Sequence, residues 1–375
     1  MTLKLKGKSI LFLIISLIIF TGCSDKFGKY NYINYKKLKR PNNKVKLHST
    51  VVINEHDINY IGDFTIINNY LLLIDKKADK LIKIFDSKSY KLLKSFGRLG
   101  QGPSEFIGAS QIIPGQKDKN MFWIYDVTAR KLKKFNINKV LNNNSNPEKI
   151  ISIKEGKGIP FQIVITPDNK ILATGYFFKG RISIYNMSGD FIRSVGKIPV
   201  ILKNERFASQ HSHGFDGRFI FKNKSKEIFV VPMLGAIVEK YNIGNGKLIS
   251  TFYGPDSFFP EYKIVPAGEY YTMTYNKKTR FGYVDICCNK KLDKLFLLYS
   301  GEYFFNKENK RNERVSFCNI IYVLDNKGTI IEEIELDKGI IQMTISDDGS
   351  TLFGLSGSGT EILKFEYNKK TNIGI

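Results

Sequence analysis

The side chains able to do chemistry in this 375-residue chain fall into four sets. In the first, aromatic clusters adjoin charges. Tyr176-Phe-Phe178 precedes Arg181, Phe258-Phe259, Tyr262, Tyr270-Tyr271 and Tyr275 lie around Glu261 and Arg280, and Tyr303-Phe-Phe305 follows Glu302. Rings supply flat faces for stacking and charges supply orientation, a composition that suits a glycan or a peptide. The same rings would serve equally to plug a channel or to pack loops onto a scaffold. The second set is His211-Ser-His213, whose imidazoles share one side of an extended segment. That arrangement invites a metal, but no third ligand stands at a recognised spacing. The third is Gly97-Arg-Leu-Gly-Gln-Gly-Pro-Ser-Glu-Phe106, where Arg98 and Glu105 either meet a ligand or brace the turn through charge-assisted bonds. The fourth is Cys287, Cys288 and Cys318. Neighbours on a strand point to opposite faces, so at most one of the first two can meet Cys318; a bridge and buried thiols both stay open.

None of these sets is a catalytic constellation. No serine sits in a nucleophile elbow, and the glycine-rich stretch leads into a strand pattern where a phosphate cradle needs a helix. No Cys-x-x-Cys spacing marks a metal site. Asp347-Asp348 and Glu332-Glu333 fall at turn and strand positions where solvation is their expected role. No cofactor is expected on these grounds.

The termini set the compartment. Lys4, Lys6 and Lys8 precede an apolar run from Ile10 to Phe20, the pattern of a secretory signal and too short to span a bilayer. The run ends in Phe20-Thr-Gly-Cys23, which resembles the lipobox of bacterial lipoproteins, with Cys23 as the lipidated residue. The segment 24–44, rich in Lys, Asn and Tyr, suits a flexible tether. The expectation is a cell-envelope protein held to a membrane by its N-terminal lipid, in the outer membrane, with periplasmic and surface orientations both open.

The formal charge is +23, or +20 after removal of the three signal lysines, and only 10 of the 58 basic residues are arginine. Lysine scattered along every segment reads as solubilising edge residues. A nucleic-acid interface would gather Arg and Lys on one face, so that partner is excluded.

The elements that must carry these side chains repeat. A unit of strand, turn, strand, loop, strand, turn, strand recurs, with an aromatic or Leu before Asp, Asn or Glu closing the third strand. The six markers are Phe85-Asp86, Tyr125-Asp126, Tyr185-Asn186, Tyr241-Asn242, Leu324-Asp325 and Phe365-Glu366. Turn residues such as Asn68-Asn69, Ser188-Gly-Asp190 and Asn326-Lys-Gly328 close hairpins. Repeated four-stranded antiparallel units with almost no helical periodicity predict an all-β, six-bladed propeller over 45–367, followed by a tail over 368–375. The sixth unit has three strands, and Lys46 to Ile53 supplies its fourth, closing the ring from the N-terminus.

The segment Phe96 to Phe106, preceded by Ile82 to Asp86, is similar to the linker pattern of NHL repeats. It resembles still more the six-bladed, TolB-like propeller lipoproteins of Bacteroidetes. That resemblance implies the fold and an envelope location but no assigned activity. The expected function is noncatalytic binding of a glycan, a peptide or an envelope protein. Arg98, Glu105, Tyr176, Phe178, Arg181, Tyr262, Tyr271, Arg280 and Tyr303 are the candidate contacts, on the face where the long loops gather. The rival class is a lactonase-like or amidating-lyase-like propeller with calcium in its channel. That class needs three or more convergent carboxylates, amides or histidines from the innermost strands, which offer few of them.

Overall fold

The computed structural model describes residues 34–154, 158–177, 179–200, 205–222, 226–289 and 291–367. Three short strands come first: β1 Tyr35–Lys37, β2 Lys44–Leu47 and β3 Ser49–Ile53. Blade 1 is β4 Ile61–Ile67, β5 Tyr70–Asp75, β6 Ile82–Asp86 and β7 Leu92–Phe96. Blade 2 is β8 Ala109–Pro114, β9 Met121–Asp126, β10 Lys131–Asn136 and, beyond helix α1 Ile137–Leu141, β11 Lys149–Ser152. Blade 3 holds β12 Gly158–Ile165, β13 Ile171–Phe177, β14 Ile182–Tyr185 and β15 Phe191–Val195. Helix α2 Ala208–Gly214 leads into blade 4, which is β16 Gly217–Lys222, β17 Glu227–Pro232, β18 Ile237–Asn242 and β19 Leu248–Tyr253. A hairpin, β20 Lys263–Ala267 and β21 Tyr270–Thr274, interrupts the link to blade 5. Blade 5 is β22 Tyr283–Asn289, β23 Lys294–Tyr299, β24 Cys318–Leu324 and the first half of β25 Ile330–Ile345. The second half of β25, then β26 Thr351–Ser356, β27 Ile362–Glu366 and finally β3 make blade 6.

The N-terminus therefore closes the ring as expected, but the closing strand begins at Ser49. The residues before it do something else. β1 pairs in parallel with β19 on the outer edge of blade 4, and β2 pairs in parallel with β25 on the outer edge of blade 5. From Asn34 onward, the segment expected as tether is thus a docked strap. Leu38 is 2% exposed, and its N–H donates to the Tyr253 carbonyl at 2.7 Å. Asn43 donates to Glu332 at 3.0 Å, and Lys44 and Arg40 pair with Glu333. Glu332 and Glu333, expected to be solvated, are each 5% exposed because the strap covers them. Residues 1–33, with the signal segment and Cys23, and the tail 368–375 lie outside the described residues.

Strands inside a blade are buried on both faces, so they read as continuous apolar runs. In β5 successive side chains serve different cores: Leu71 and Leu73 face blade 6, Leu72 and Ile74 face blade 2. One apolar cluster fills each seam between neighbouring blades, exemplified by Phe64 with Phe353, Phe96 with Phe122, Trp123 with Tyr185, Ile184 with Tyr241, Val238 with Tyr283, and Phe296 with Phe365. Each such side chain buried contributes roughly 1.5–3 kcal/mol, which makes the seams the main stabilising element. Five of the six third-strand markers close third strands; Tyr125-Asp126 instead ends the second strand of blade 2. Among the described residues Cys287 and Cys318 are free thiols. Cys287 packs in the seam of blades 5 and 6 with Cys318, while Cys288 faces the seam of blades 4 and 5.

Six innermost strands, β4, β8, β12, β16, β22 and the second half of β25, contact one another in a closed circle around the channel. Just inside its mouth each contributes one polar side chain: Asp63, Gln111, Gln162, Arg218, Asp285 and Gln342. Five of the six immediately follow a break in strand register. A bulge re-aims the next side chain, here toward the neighbouring blade. Asp63 accepts from Ile112 N at 2.6 Å, Gln111 exchanges bonds with the Ile163 backbone, and Arg218 donates to Gln162 at 2.8 Å. Asp285 accepts from Met343 N at 2.8 Å and lies 3.8 Å from Arg218, and Gln342 donates to Asp63 at 2.6 Å. The circle of blades is stapled by hydrogen bonds at five seams and by the Arg218–Asp285 ion pair at the sixth.

Candidate functional site

Inter-blade links and the loops between second and third strands lie on one end of the propeller, the link face; the tight turns lie on the other, the turn face. The link that forms between blades 1 and 2 shows how the sequence builds this face. Gly97 has φ +72°, and a Cβ there would stand 2.8 Å from the Phe106 ring, so only glycine fits. Phe106 N donates to Arg98 O at 2.8 Å, and the Glu105 carboxylate accepts from Gly102 N at 2.9 Å. The Lys133 ammonium donates to the Gly102 and Glu105 carbonyls and sits 4.9 Å from the Phe106 ring centroid. Glu105 is thereby a brace. Arg98 is exposed at the same link, remote in the ring from the aromatic loops of blades 3 to 5.

Those loops form the most elaborate part of the link face. Ser212 donates to the Gly175 carbonyl at 2.8 Å, fixing α2 against β13. Because His211 and His213 stand on a helix and not on an extended segment, they point in different directions. Nδ1 of His213 shares a hydrogen bond with the Tyr176 hydroxyl at 2.5 Å, and Nδ1 of His211 shares one with the Tyr262 hydroxyl at 2.8 Å. Burial lowers both imidazoles, His213 to about 4, so at neutral pH both are uncharged. Burial, with Asp216 adding to it, pushes Tyr176 up to about 12. Asp216 accepts from Gly217 N at 2.9 Å and is itself pushed up to about 6 by burial, against the opposing charges of Arg181 and Arg218.

Farther out, two arginines are clasped by rings. The Arg280 guanidinium lies 4.3 Å from the Phe258 ring centroid and 4.9 Å from that of Tyr303, and it donates to Gly301 O at 2.7 Å. Arg206 lies 4.6 Å from both the Phe207 and Tyr271 rings. Beside these contacts Tyr303 is 48% exposed and Tyr271 36%, and Tyr270 at the hairpin tip is 77% exposed. Inside them, Tyr275 packs 4.0 Å from Phe304, tying the hairpin link to the long loop of blade 5.

The expected contacts thus divide. Tyr176, Tyr262, Tyr271, Arg280 and Tyr303 are gathered on the link face of blades 3 to 5. Arg181, expected among the ligand-facing charges, is 1% exposed and ion-paired with Glu239 at 2.9 Å, because it heads a strand at the seam of blades 3 and 4. Phe178 and Cys23 lie outside the described residues.

The family described as TolB-like 6-blade propeller-like matches residues 41–348. The chain belongs to that family. A solved structure described as a streptogramin B lyase shares the TolB-like chain's fold with a TM-score of 0.50 at 13% identity, covering 86% of this chain and 98% of that one. No curated protein matches.

Sequence reasoning missed three parts of this TolB-like site. The channel circle was overlooked because its members precede the apolar runs, although the pattern of Asp, Gln or Arg before a large apolar residue recurs at 63, 111, 162, 218, 285 and 342. Asp216 carried no local signal, and Arg206, although it precedes Phe207 in sequence, meets Tyr271 only through folding. The raised carboxyl of Asp216 has a measurable consequence. A carboxyl that binds its proton more tightly when folded stabilises the fold at low pH and loses that contribution as pH rises from about 4 to about 6. The unfolding free energy of the wild type relative to Asp216→Asn is expected to fall by up to about 3 kcal/mol across that interval and to level off above it. A flat difference in urea titrations would refute the assignment.

Proposed function

We propose that this chain is a lipid-anchored, noncatalytic binding module of the cell envelope, of the kind its likeness to Bacteroidetes propeller lipoproteins and to NHL linkers suggests. Its ligand is a glycan or an extended peptide taken on the link face of blades 3 to 5. The observation that carries this reading is the pair of arginine-clasped aromatic groups, Phe258–Arg280–Tyr303 and Phe207–Arg206–Tyr271. Rings already fixed by an arginine present stacking faces without further ordering cost, which is what a preorganised recognition surface needs. Purified protein lacking residues 1–23 is expected to bind an envelope glycan or peptide saturably in an array, with Tyr271→Ala and Tyr303→Ala each weakening binding about 10-fold or more. Undiminished binding in both variants would remove the reading. Lipidation is tested separately. Intact mass should show Cys23 carrying acyl chains, and Cys23→Ser should release the protein from the membrane fraction.

The second reading, a hydrolase or lyase with calcium in the channel, draws on one observation. Two carboxylates and three amides do line the channel, at Asp63, Asp285, Gln111, Gln162 and Gln342. Their bonds run around the circle to the next blade, however, and do not converge on its axis. Among the described residues no three His, Cys, Asp or Glu side chains are grouped to share a metal ion. Added calcium is therefore expected to leave the melting temperature unchanged; a rise of several degrees would favour the second reading.

A further inference from the structure

The strap fixes where the membrane anchor joins the propeller, and so which face looks toward the lipid. Asn34 donates to the Ile249 carbonyl at 2.8 Å, two residues beyond the turn that ends at Lys247. That turn belongs to the turn face. β1 then runs parallel to β19, so the described chain starts on the turn side of blade 4 and proceeds toward the link side. The junction is held firmly. Leu38 is buried, Lys36 donates to Lys327 O at 2.6 Å in the equivalent turn of blade 5, and Arg40 pairs with Asp256 and Glu333. Lys36, Lys247 and Lys327 are exposed around this point, a local basic patch of the sort that anionic headgroups attract. Between Cys23 and Asn34 there are eleven residue steps, a reach of at most about 36–40 Å even when fully extended.

We propose that the turn face of blades 4 and 5 lies against a lipid surface and that the aromatic link face points away from it, toward the ligand. This rests on the reading that Cys23 carries the lipid. It assigns the partner of the turn face as a bilayer and explains why the short turns and the long aromatic loops are segregated to opposite ends.

The chain from Cys23 onward, with a hexahistidine in front, would be attached to vesicles bearing nickel-chelating and anionic lipids. This imposes the anchor, so the outcome is independent of whether Cys23 is acylated in the cell. The sole tryptophan, Trp123, lines the turn side of blades 2 and 3 with Lys117, Asp118 and Asn169. Energy transfer from Trp123 to a dansyl headgroup is expected to be several-fold more efficient than in Trp123→Phe/Tyr270→Trp, which moves the donor to the hairpin tip on the link face. In the unaltered chain, vesicle attachment should slow acetylation of Lys247 and Lys327 several-fold and leave Lys277 and Lys307 unaffected. Equal transfer from the two donors, or protection of Lys277 and Lys307, would overturn the proposal.

Discussion

Arg181→Met is expected to lower the unfolding free energy by about 3–5 kcal/mol, the largest effect of any single charge removal in the molecule. Arg181 and Glu239 are 1% and 0% exposed on their side chains and meet at 2.9 Å. The guanidinium also donates to Phe215 O at 2.5 Å, and Tyr241 donates to the Glu239 carboxylate at 3.1 Å. Removing Arg181 leaves a buried carboxylate without that counter-charge. Arg181→Met/Glu239→Leu should recover most of the loss, since apolar replacement of a whole buried pair is often neutral. Urea titration checks both variants, and a deficit below about 1 kcal/mol in the single variant would show that the pair does not lock blade 3 to blade 4.

Asp63→Ala is expected to cost about 2–4 kcal/mol. It strips the acceptor from two buried donors, Ile112 N and Gln342 Nε2, and each unsatisfied group costs roughly 1–3 kcal/mol. Asp63→Asn keeps one acceptor oxygen and should cost less. The bonds of Asp63 span blades 6, 1 and 2, so hydrogen exchange should quicken first in β4, β8 and the second half of β25. Loss confined to β4 would mean that the channel circle is a row of separate contacts and not a staple of the ring.

How much of this was legible beforehand depends on the range of the cause. Hairpin turns are local, and the chain adopts positive φ at the predicted turns, at Asn68, Gly189 and Gly328. Blade number and closure from the N-terminus followed from those turns and from the missing sixth-blade strand. The strap was only partly legible: Tyr35–Lys37 has no pattern of its own, and the alternation through Val45 and Leu47 reads as the start of the closing strand, whereas both segments pair with edges supplied some 200–300 residues later. Helix α2 was misread as extended for a similar reason: Ser212 and the two histidine–tyrosine pairs fix it from outside. Of the candidate contacts, exposed tyrosines beside arginines were recoverable from composition, whereas the burial of Arg181 required knowing that Glu239 faces it from the next blade.

The central claim is that the link face of blades 3 to 5 binds a ligand without transforming it. Hydrogen–deuterium exchange with a saturating ligand from the array, followed by mass analysis of the recovered ligand, tests both halves at once. The account predicts protection concentrated in residues 205–216, 254–282 and 301–314 and a ligand recovered unchanged. Protection on the turn face, or a ligand returned cleaved or rearranged, would contradict it.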